Sequence, residues 1–98
     1  METTAATRTG WRHHWQDEAD AAFLYRELAA ASRNREQADV YTRLAAVEDR
    51  HTEIWARLLR EQGERAEAPR PSAKARLMAW AARRFGPGVL ASLLLWEE

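Results

Sequence analysis

A glutamate and a histidine three residues apart, Glu48 and His51, are the side chains of this sequence best suited to metal chemistry. Residues at this spacing share one face of a helix, so their carboxylate and imidazole point the same way. That face is otherwise apolar, and an ionised, unpaired carboxylate in a dry stripe costs several kcal/mol. A metal ion bound by both groups removes this cost, and oxygen and nitrogen ligands without sulfur suit iron or manganese.

Glu18 is a third candidate ligand, from an earlier part of the chain. Its helical neighbours at i+3 and i+7 are Ala21 and Tyr25, which share its face. The alanine allows two helices to approach closely, and the phenol can hydrogen-bond a ligating carboxylate. In di-iron carboxylate bundles, two helices each supply a Glu and two others each supply a Glu-x-x-His motif. This sequence contains one of each, which is half of that ligand set.

A first helix must position Glu18. Apolar residues recur at helical spacing between Trp11 and about Ser32, with no intervening glycine or proline. Residues 1–10 are small and polar, which predicts a flexible tail before this helix. Residues 32–35 contain serine and asparagine, which favour turns and N-caps, so we expect the first helix to end there.

A second helix must position Glu48 and His51. Its apolar pattern runs over about residues 35–62, and Gly63 after it is a natural C-cap. The short turn between the two helices predicts an antiparallel helical hairpin over residues 11–63. The apolar stripe of the second helix consists of Val40, Tyr41, Leu44, Ala45, Val47, Ile54, Trp55, Leu58 and Leu59.

The last third of the chain is predicted as a polar linker at residues 64–71 and a helical segment at residues 72–98. Ser72 caps a third helix over about residues 73–85, and a short apolar segment follows at residues 89–96. The third helix is basic and contains a tryptophan. Two uses for it stay open: packing over the hairpin or a partner chain, and docking on a membrane surface or a neighbouring domain.

Composition narrows the class of protein. The 98 residues suffice for one small domain, and strand-favouring residues are scarce, so an all-α fold is expected. The 15 basic and 15 acidic residues balance, which argues against a dedicated nucleic-acid-binding protein. The absence of cysteine excludes disulfides and thiolate sites. With no signal-peptide core and no apolar stretch of about 18 residues, we expect a cytoplasmic location and no transmembrane segment.

Two spaced motifs run through the predicted hairpin, and their combination resembles the first half of the rubrerythrin domain in the ferritin-like superfamily. The segment from Asp17 to Arg26 and the Arg-Arg-Phe-Gly-Pro sequence at residues 83–87 are similar to one branch of that family. This branch precedes membrane iron transporters of the vacuolar iron transporter family. Encapsulated ferritins are similar half-length relatives. The two motifs are Glu18-x-x-Ala21-x-x-x-Tyr25 and Tyr41-x-x-x-Ala45-x-x-Glu48-x-x-His51.

The resemblance implies that Glu18, Glu48 and His51 ligate iron, with Tyr25 beside the catalytic site. A complete domain has a second Glu-bearing helix and a second Glu-x-x-His motif, which these 98 residues do not contain. Three ligands are half of the roughly six that a two-metal centre uses. We therefore expect a homodimer in which two ferritin-like hairpins form a four-helix bundle around one di-iron centre.

The function implied by the resemblance is oxidation of Fe²⁺ by dioxygen or peroxide, with manganese or zinc as substitutes for iron. An iron transporter domain or an encapsulating shell is a further expected partner. Two alternatives stay open. One is a non-catalytic iron-binding module that senses iron or delivers it to a transporter or compartment. The other is a metal-free helical oligomer in which Glu48 and His51 are merely tolerated.

Two other groups of residues can be interpreted either as related to metal binding or as ordinary surface residues. His13 and His14 are a candidate second metal site, but adjacent helical residues diverge by about 100°, which favours a surface role. Asp20, Asp49 and Glu53 lie near the ligand positions and point more outward. They either attract Fe²⁺ towards the site or form an ordinary solvated face.

Overall fold

The computed structural model describes residues 3–67, 69–90 and 92, and every regular element in these residues is a helix. Two long helices pack antiparallel against each other, and a shorter third helix packs on the first. The molecule is elongated, with principal extents of 48 × 23 × 21 Å. No helix in the described part of the chain is long and apolar enough to cross a membrane. The predicted all-α hairpin is confirmed.

The first helix, α1, spans Ala5–Ala31 and begins six residues earlier than the sequence pattern predicted. Thr4 caps it, because its side chain accepts a hydrogen bond from a backbone amide of the first turn. The Arg8 guanidinium lies 3.4 Å from the carboxylate of Glu64, which ties this turn to the chain that follows the second helix. Residues 5–10, which the sequence assigned to a tail before the helix, therefore belong to α1.

The second helix, α2, spans Arg35–Glu61 and follows α1 after a turn of three residues. Asn34 caps it, and its side chain accepts a hydrogen bond from the Gln37 amide at 3.1 Å. Gly63 follows the helix with a φ of +79°, a left-handed conformation that glycine adopts without strain. Both ends of α2 agree with the predicted boundaries.

The linker after α2 runs alongside α1 in the same direction. The Arg12 side chain donates a hydrogen bond to the Arg65 carbonyl at 2.7 Å. One turn further along α1, the Gln16 side chain donates to the Arg70 carbonyl at 2.9 Å. Polar side chains of α1 thus bind the linker backbone, which directs the chain towards the third helix.

The third helix, α3, spans Ala73–Phe85, as predicted. Ser72 caps it and is held in turn by Asp20 of α1. The two carboxylate oxygens of Asp20 accept hydrogen bonds from the Ser72 amide at 2.8 Å and the Ser72 hydroxyl at 2.6 Å. Gly86 follows α3 with a φ of +110°. Most of the apolar segment predicted at residues 89–96 lies outside the described residues.

The hydrophobic core consists of two clusters, one towards each end of the hairpin. Half of their buried residues are alanines, so the helices approach closely around small side chains. The cluster near the α1–α2 turn contains Leu24, Tyr25, Leu28, Ala45, Ala75, Ala79, Ala82 and Leu90, and the other contains Trp15, Ala56, Leu59 and Ala66.

One apolar face of α2 is covered by neither α1 nor α3 in the described structure. The predicted apolar stripe of α2 divides in two. Ala45 and Leu59 are buried, whereas Leu44 and Ile54 are 38% and 50% exposed. The exposed residues of the stripe and two half-buried ones, Val47 and Leu58, are three, four or seven positions apart, so they lie along one side of the helix. We call this strip the α2 apolar face; it consists of Val40, Leu44, Val47, Ile54 and Leu58.

Candidate metal centre

The middle of the hairpin brings Glu18 of α1 next to Glu48 and His51 of α2. On each helix, these residues come in sequence between the residues of one hydrophobic cluster and the residues of the other. Ala22 and Ala45 are almost fully buried nearby, and their small side chains let the helices approach. The three residues predicted as metal ligands are therefore close together in the folded chain.

The distances within this group suit ligands of one cation. The Nδ1 atom of His51 lies 3.5 Å from Glu18 Oε1 and 3.8 Å from Glu48 Oε2. With metal–ligand bonds of about 2.1 Å, two ligands of one ion are about 3.0 Å apart at a right angle and about 3.4 Å apart at a tetrahedral angle. The two histidine distances are slightly wider than this and all the ligand atoms lie within 4.8 Å of one another, so the side chains must draw together to bind a shared ion.

The two carboxylates are more buried than the imidazole. The side chains of Glu48 and Glu18 are 18% and 26% exposed. The Oε2 atom of Glu18 is buried and has no hydrogen-bond partner. A buried acceptor left without a partner costs about 1–3 kcal/mol, and more when it is charged. Because a bound cation offsets this cost, the residues present fit a metal ion.

His51 is nearer to solvent than the sequence predicted. Its side chain is 46% exposed, so the expectation of a dry stripe shared by Glu48 and His51 holds only for the glutamate. The reason is the position of His51 on α2, one turn from Val47 and Ile54 of the α2 apolar face. The group therefore opens onto the face of α2 that α1 leaves uncovered.

Aromatic pairs join the two helices on both sides of the group. Tyr25 of α1 stacks on Tyr41 of α2 with ring centroids 6.3 Å apart. On the other side, the His14 ring stacks on Trp55 at 5.0 Å. Tyr25 is buried and lies two helical turns beyond Glu18, outside the three-residue group. Its hydrogen bond to a ligating carboxylate stays a prediction.

The apolar stripes of the two helices do not predict the contact between His14 and Trp55. The spacing of these two residues from the candidate metal ligands does indicate it. His14 precedes Glu18 by four residues, and Trp55 follows His51 by four, which is about one turn in each case. His13 is exposed. Within the described residues, neither adjacent histidine belongs to a group of three side chains that could hold a metal ion.

The three other carboxylates near the ligand positions have partners of their own. Asp49 of α2 pairs with Arg26 of α1 across the hairpin. Glu53 Oε1 lies 2.8 Å from the Arg60 guanidinium on the same helix. Asp20 binds the start of α3 through both carboxylate oxygens. Each of these carboxylates therefore has a structural role. The pairings do not support the interpretation that the three carboxylates attract Fe²⁺ towards the site.

The group has the chemistry of a site for a divalent cation. Two carboxylates and an imidazole supply oxygen and nitrogen ligands, which suit iron, manganese and zinc. Three ligands from one chain leave coordination positions for water, a substrate or a second chain. Comparison of the chain with known protein families, curated proteins and solved structures gave no match.

Proposed function

We propose that the chain binds Fe²⁺ at Glu18, Glu48 and His51 and oxidises it, within a homodimer whose two copies complete a di-iron centre. One observation carries this proposal: three ligand atoms lie within 4.8 Å of one another, and they include a glutamate with a buried, unpartnered oxygen. The resemblance to ferritin-like motifs supplies the choice of iron. The activity is that of a ferroxidase in iron storage or detoxification.

The α2 apolar face supports the participation of a second copy. Leu44 and Ile54 are exposed on it, and fully burying one such side chain contributes about 1.5–3 kcal/mol. A two-fold axis beside His51 pairs this face with itself, as closed dimers require. The same axis brings the ligands of both copies together, which gives the roughly six that a two-metal centre needs. The four long helices then form a bundle.

The ligand types suit iron oxidation. Glu18 and His51 of each copy would hold one iron ion, and Glu48 of each copy would supply a further carboxylate to the pair. Carboxylate charge favours Fe³⁺ over Fe²⁺ and so makes the loss of an electron easier. Two Fe²⁺ ions give one electron each to O₂, which takes up two protons to become hydrogen peroxide. The chain contributes position, charge and the exclusion of water by the dimer contact.

A second candidate function uses the same residues without turnover. In this alternative, the chain is an iron-binding module that senses iron or delivers it to a transporter or compartment. The 46% exposure of the His51 side chain favours it, because a ligand open to solvent releases a metal ion more readily than an enclosed one.

Oxygen consumption after addition of Fe²⁺ distinguishes the candidates. We expect the wild-type chain to consume O₂ faster than buffer with the same Fe²⁺, and Glu48→Ala to return to the buffer rate. Glu61→Ala, at the far end of α2, is the matched control and should keep the wild-type rate. Anaerobic Fe²⁺ binding without faster O₂ consumption selects the non-catalytic module. If the chain binds no Fe²⁺, both candidates are wrong.

A further inference from the structure

The helix α3 presents large apolar side chains to solvent, while it buries small ones against the rest of the fold. The buried residues of its packed face are all alanines, of which Ala75 and Ala79 are almost fully buried, and Met78 packs beside them. By contrast, Leu77, Trp80 and Phe85 are 64%, 54% and 65% exposed. A helix that buries alanines and exposes a tryptophan and a phenylalanine has a second face suited to another apolar surface.

The segment that contains these exposed apolar side chains is basic. Between Glu67 and Glu97 the sequence has five basic residues and no acidic one, while residues 1–67 have 10 basic and 13 acidic residues. Four of the five are in α3. Arg83 lies 3.4 Å from Glu27 of α1. The chain is neutral as a whole, so this concentration of positive charge in one segment favours an anionic partner.

Arginine and aromatic side chains are in contact on this surface. The Trp80 and Phe85 rings meet edge to face with centroids 6.2 Å apart. The Arg84 guanidinium lies over the Phe85 ring, 5.4 Å from its centroid. This places a cation beside apolar rings, and aromatic side chains are enriched where acyl chains meet charged headgroups.

The side chains of α3 favour a lipid surface over a protein partner. The helix contains only alanine, leucine, methionine, tryptophan, phenylalanine, lysine and arginine. It has no carboxylate, so all its charged groups are cations, which match the phosphates of an anionic lipid surface. Long basic side chains can reach lipid phosphates while the apolar residues enter the boundary between headgroups and acyl chains.

We propose that the exposed face of α3, formed by Leu77, Trp80, Phe85 and the arginines Arg76 and Arg84, binds the surface of an anionic membrane. In the described structure α3 packs on α1. The membrane-binding face and the α2 apolar face are therefore on different helices, so the proposal does not depend on the iron function. Membrane binding leaves the α2 apolar face free for a second copy.

Sedimentation of the full chain with lipid vesicles tests this proposal. We expect binding to mixed phosphatidylcholine–phosphatidylserine vesicles to be at least about tenfold tighter than to phosphatidylcholine vesicles, and to weaken with added salt. A chain that does not sediment with the anionic vesicles contradicts the proposal. Equal binding to both vesicle types also contradicts it, because the positive charge then has no role.

Three double variants separate the α3 face from general charge effects. Arg76→Glu with Arg84→Glu, and Leu77→Ala with Trp80→Ala, should each weaken binding to the anionic vesicles by at least about tenfold. Arg33→Glu with Arg65→Glu changes the net charge equally and should bind within about twofold of wild type.

All six substituted side chains are exposed, so circular dichroism should show unchanged helix content. Equal weakening in both charge variants contradicts the proposal, since binding then follows net charge alone. Wild-type binding by the Leu77→Ala, Trp80→Ala variant contradicts it as well, because the apolar side chains then make no contact with lipid.

Discussion

The Nδ1 atom of His51 lies 3.5 Å from the carboxylate of Glu18 on the neighbouring helix. Strong N–H···O hydrogen bonds span about 2.7–3.2 Å, so this pair is too far apart for one. Two atoms at this separation can, however, bind the same metal ion. The Glu48 carboxylate, 3.8 Å from the same imidazole nitrogen, adds a third donor to the pair.

Replacing Glu18 with glutamine should weaken metal binding. Residues that only orient a ligand change metal affinity by about 10–100-fold, so loss of a direct carboxylate ligand should cost at least about 100-fold. Anaerobic titration calorimetry with Fe²⁺ measures this change. Glu36→Gln, an exposed carboxylate in the first turn of α2, is the control and should bind as wild type. Equal affinity of the two variants contradicts the ligand assignment.

The same Glu18→Gln variant should be more stable than wild type when no metal is present. The wild-type carboxylate has a buried oxygen without a hydrogen-bond partner and lies close to the Glu48 carboxylate. A neutral amide of the same shape reduces both costs, so the free energy of unfolding should rise by about 1 kcal/mol. Urea unfolding in the presence of a chelator measures it. A loss of stability shows instead that the Glu18 charge already stabilises the metal-free fold.

A charge on the α2 apolar face should keep the chain monomeric. Ile54 is half exposed, so Ile54→Glu leaves the hairpin intact but places a carboxylate in the proposed dimer contact. Light scattering with saturating Fe²⁺ should give a dimer for wild type and a monomer for this variant. Leu77→Glu introduces the same charge at an exposed apolar position on α3 and should remain dimeric. Dimers in both variants contradict the assignment of the interface to α2.

Removing the carboxylate of Asp20 should release the start of α3 from α1. Its oxygens accept hydrogen bonds of 2.8 and 2.6 Å from the amide and hydroxyl of Ser72. Hydrogen bonds to a charged group contribute about 1.5–3 kcal/mol, so Asp20→Ala should lower the free energy of unfolding by about 2 kcal/mol. The control, Asp17→Ala, removes an exposed carboxylate of the same helix and should change it by less than about 0.5 kcal/mol. Chemical denaturation compares the two variants.

Helix ends were predictable where the signal is local. A helix begins after Asn34 and after Ser72, and a helix ends before Gly63. Each of these residues contacts its own neighbours in the chain, and its residue type is typical of that position. The start of α1 also has a local cap, Thr4, but its first turn is held in addition by the pairing of Arg8 with Glu64, a contact far along the chain. A periodic pattern of apolar residues contains no information about that contact.

The candidate site was predictable in its residues but not in its exposure. Glu18, Glu48 and His51 could be identified because helical spacing places them on faces that a hairpin brings together. The apolar stripe of α2 is wider than the surface that α1 covers, and periodicity alone does not indicate which part remains open. The exposure of His51 and Ile54 therefore depends on how the two helices are rotated against each other.

The central claim is that two copies of the chain share one pair of iron ions. Diffraction from crystals soaked anaerobically in Fe²⁺, recorded at the iron absorption edge, tests it most directly. We predict two anomalous peaks between two chains, each peak contacted by carboxylate and imidazole groups of Glu18, Glu48 and His51. A peak held by one chain alone, a peak at His13 and His14, or no peak near His51 contradicts the shared centre.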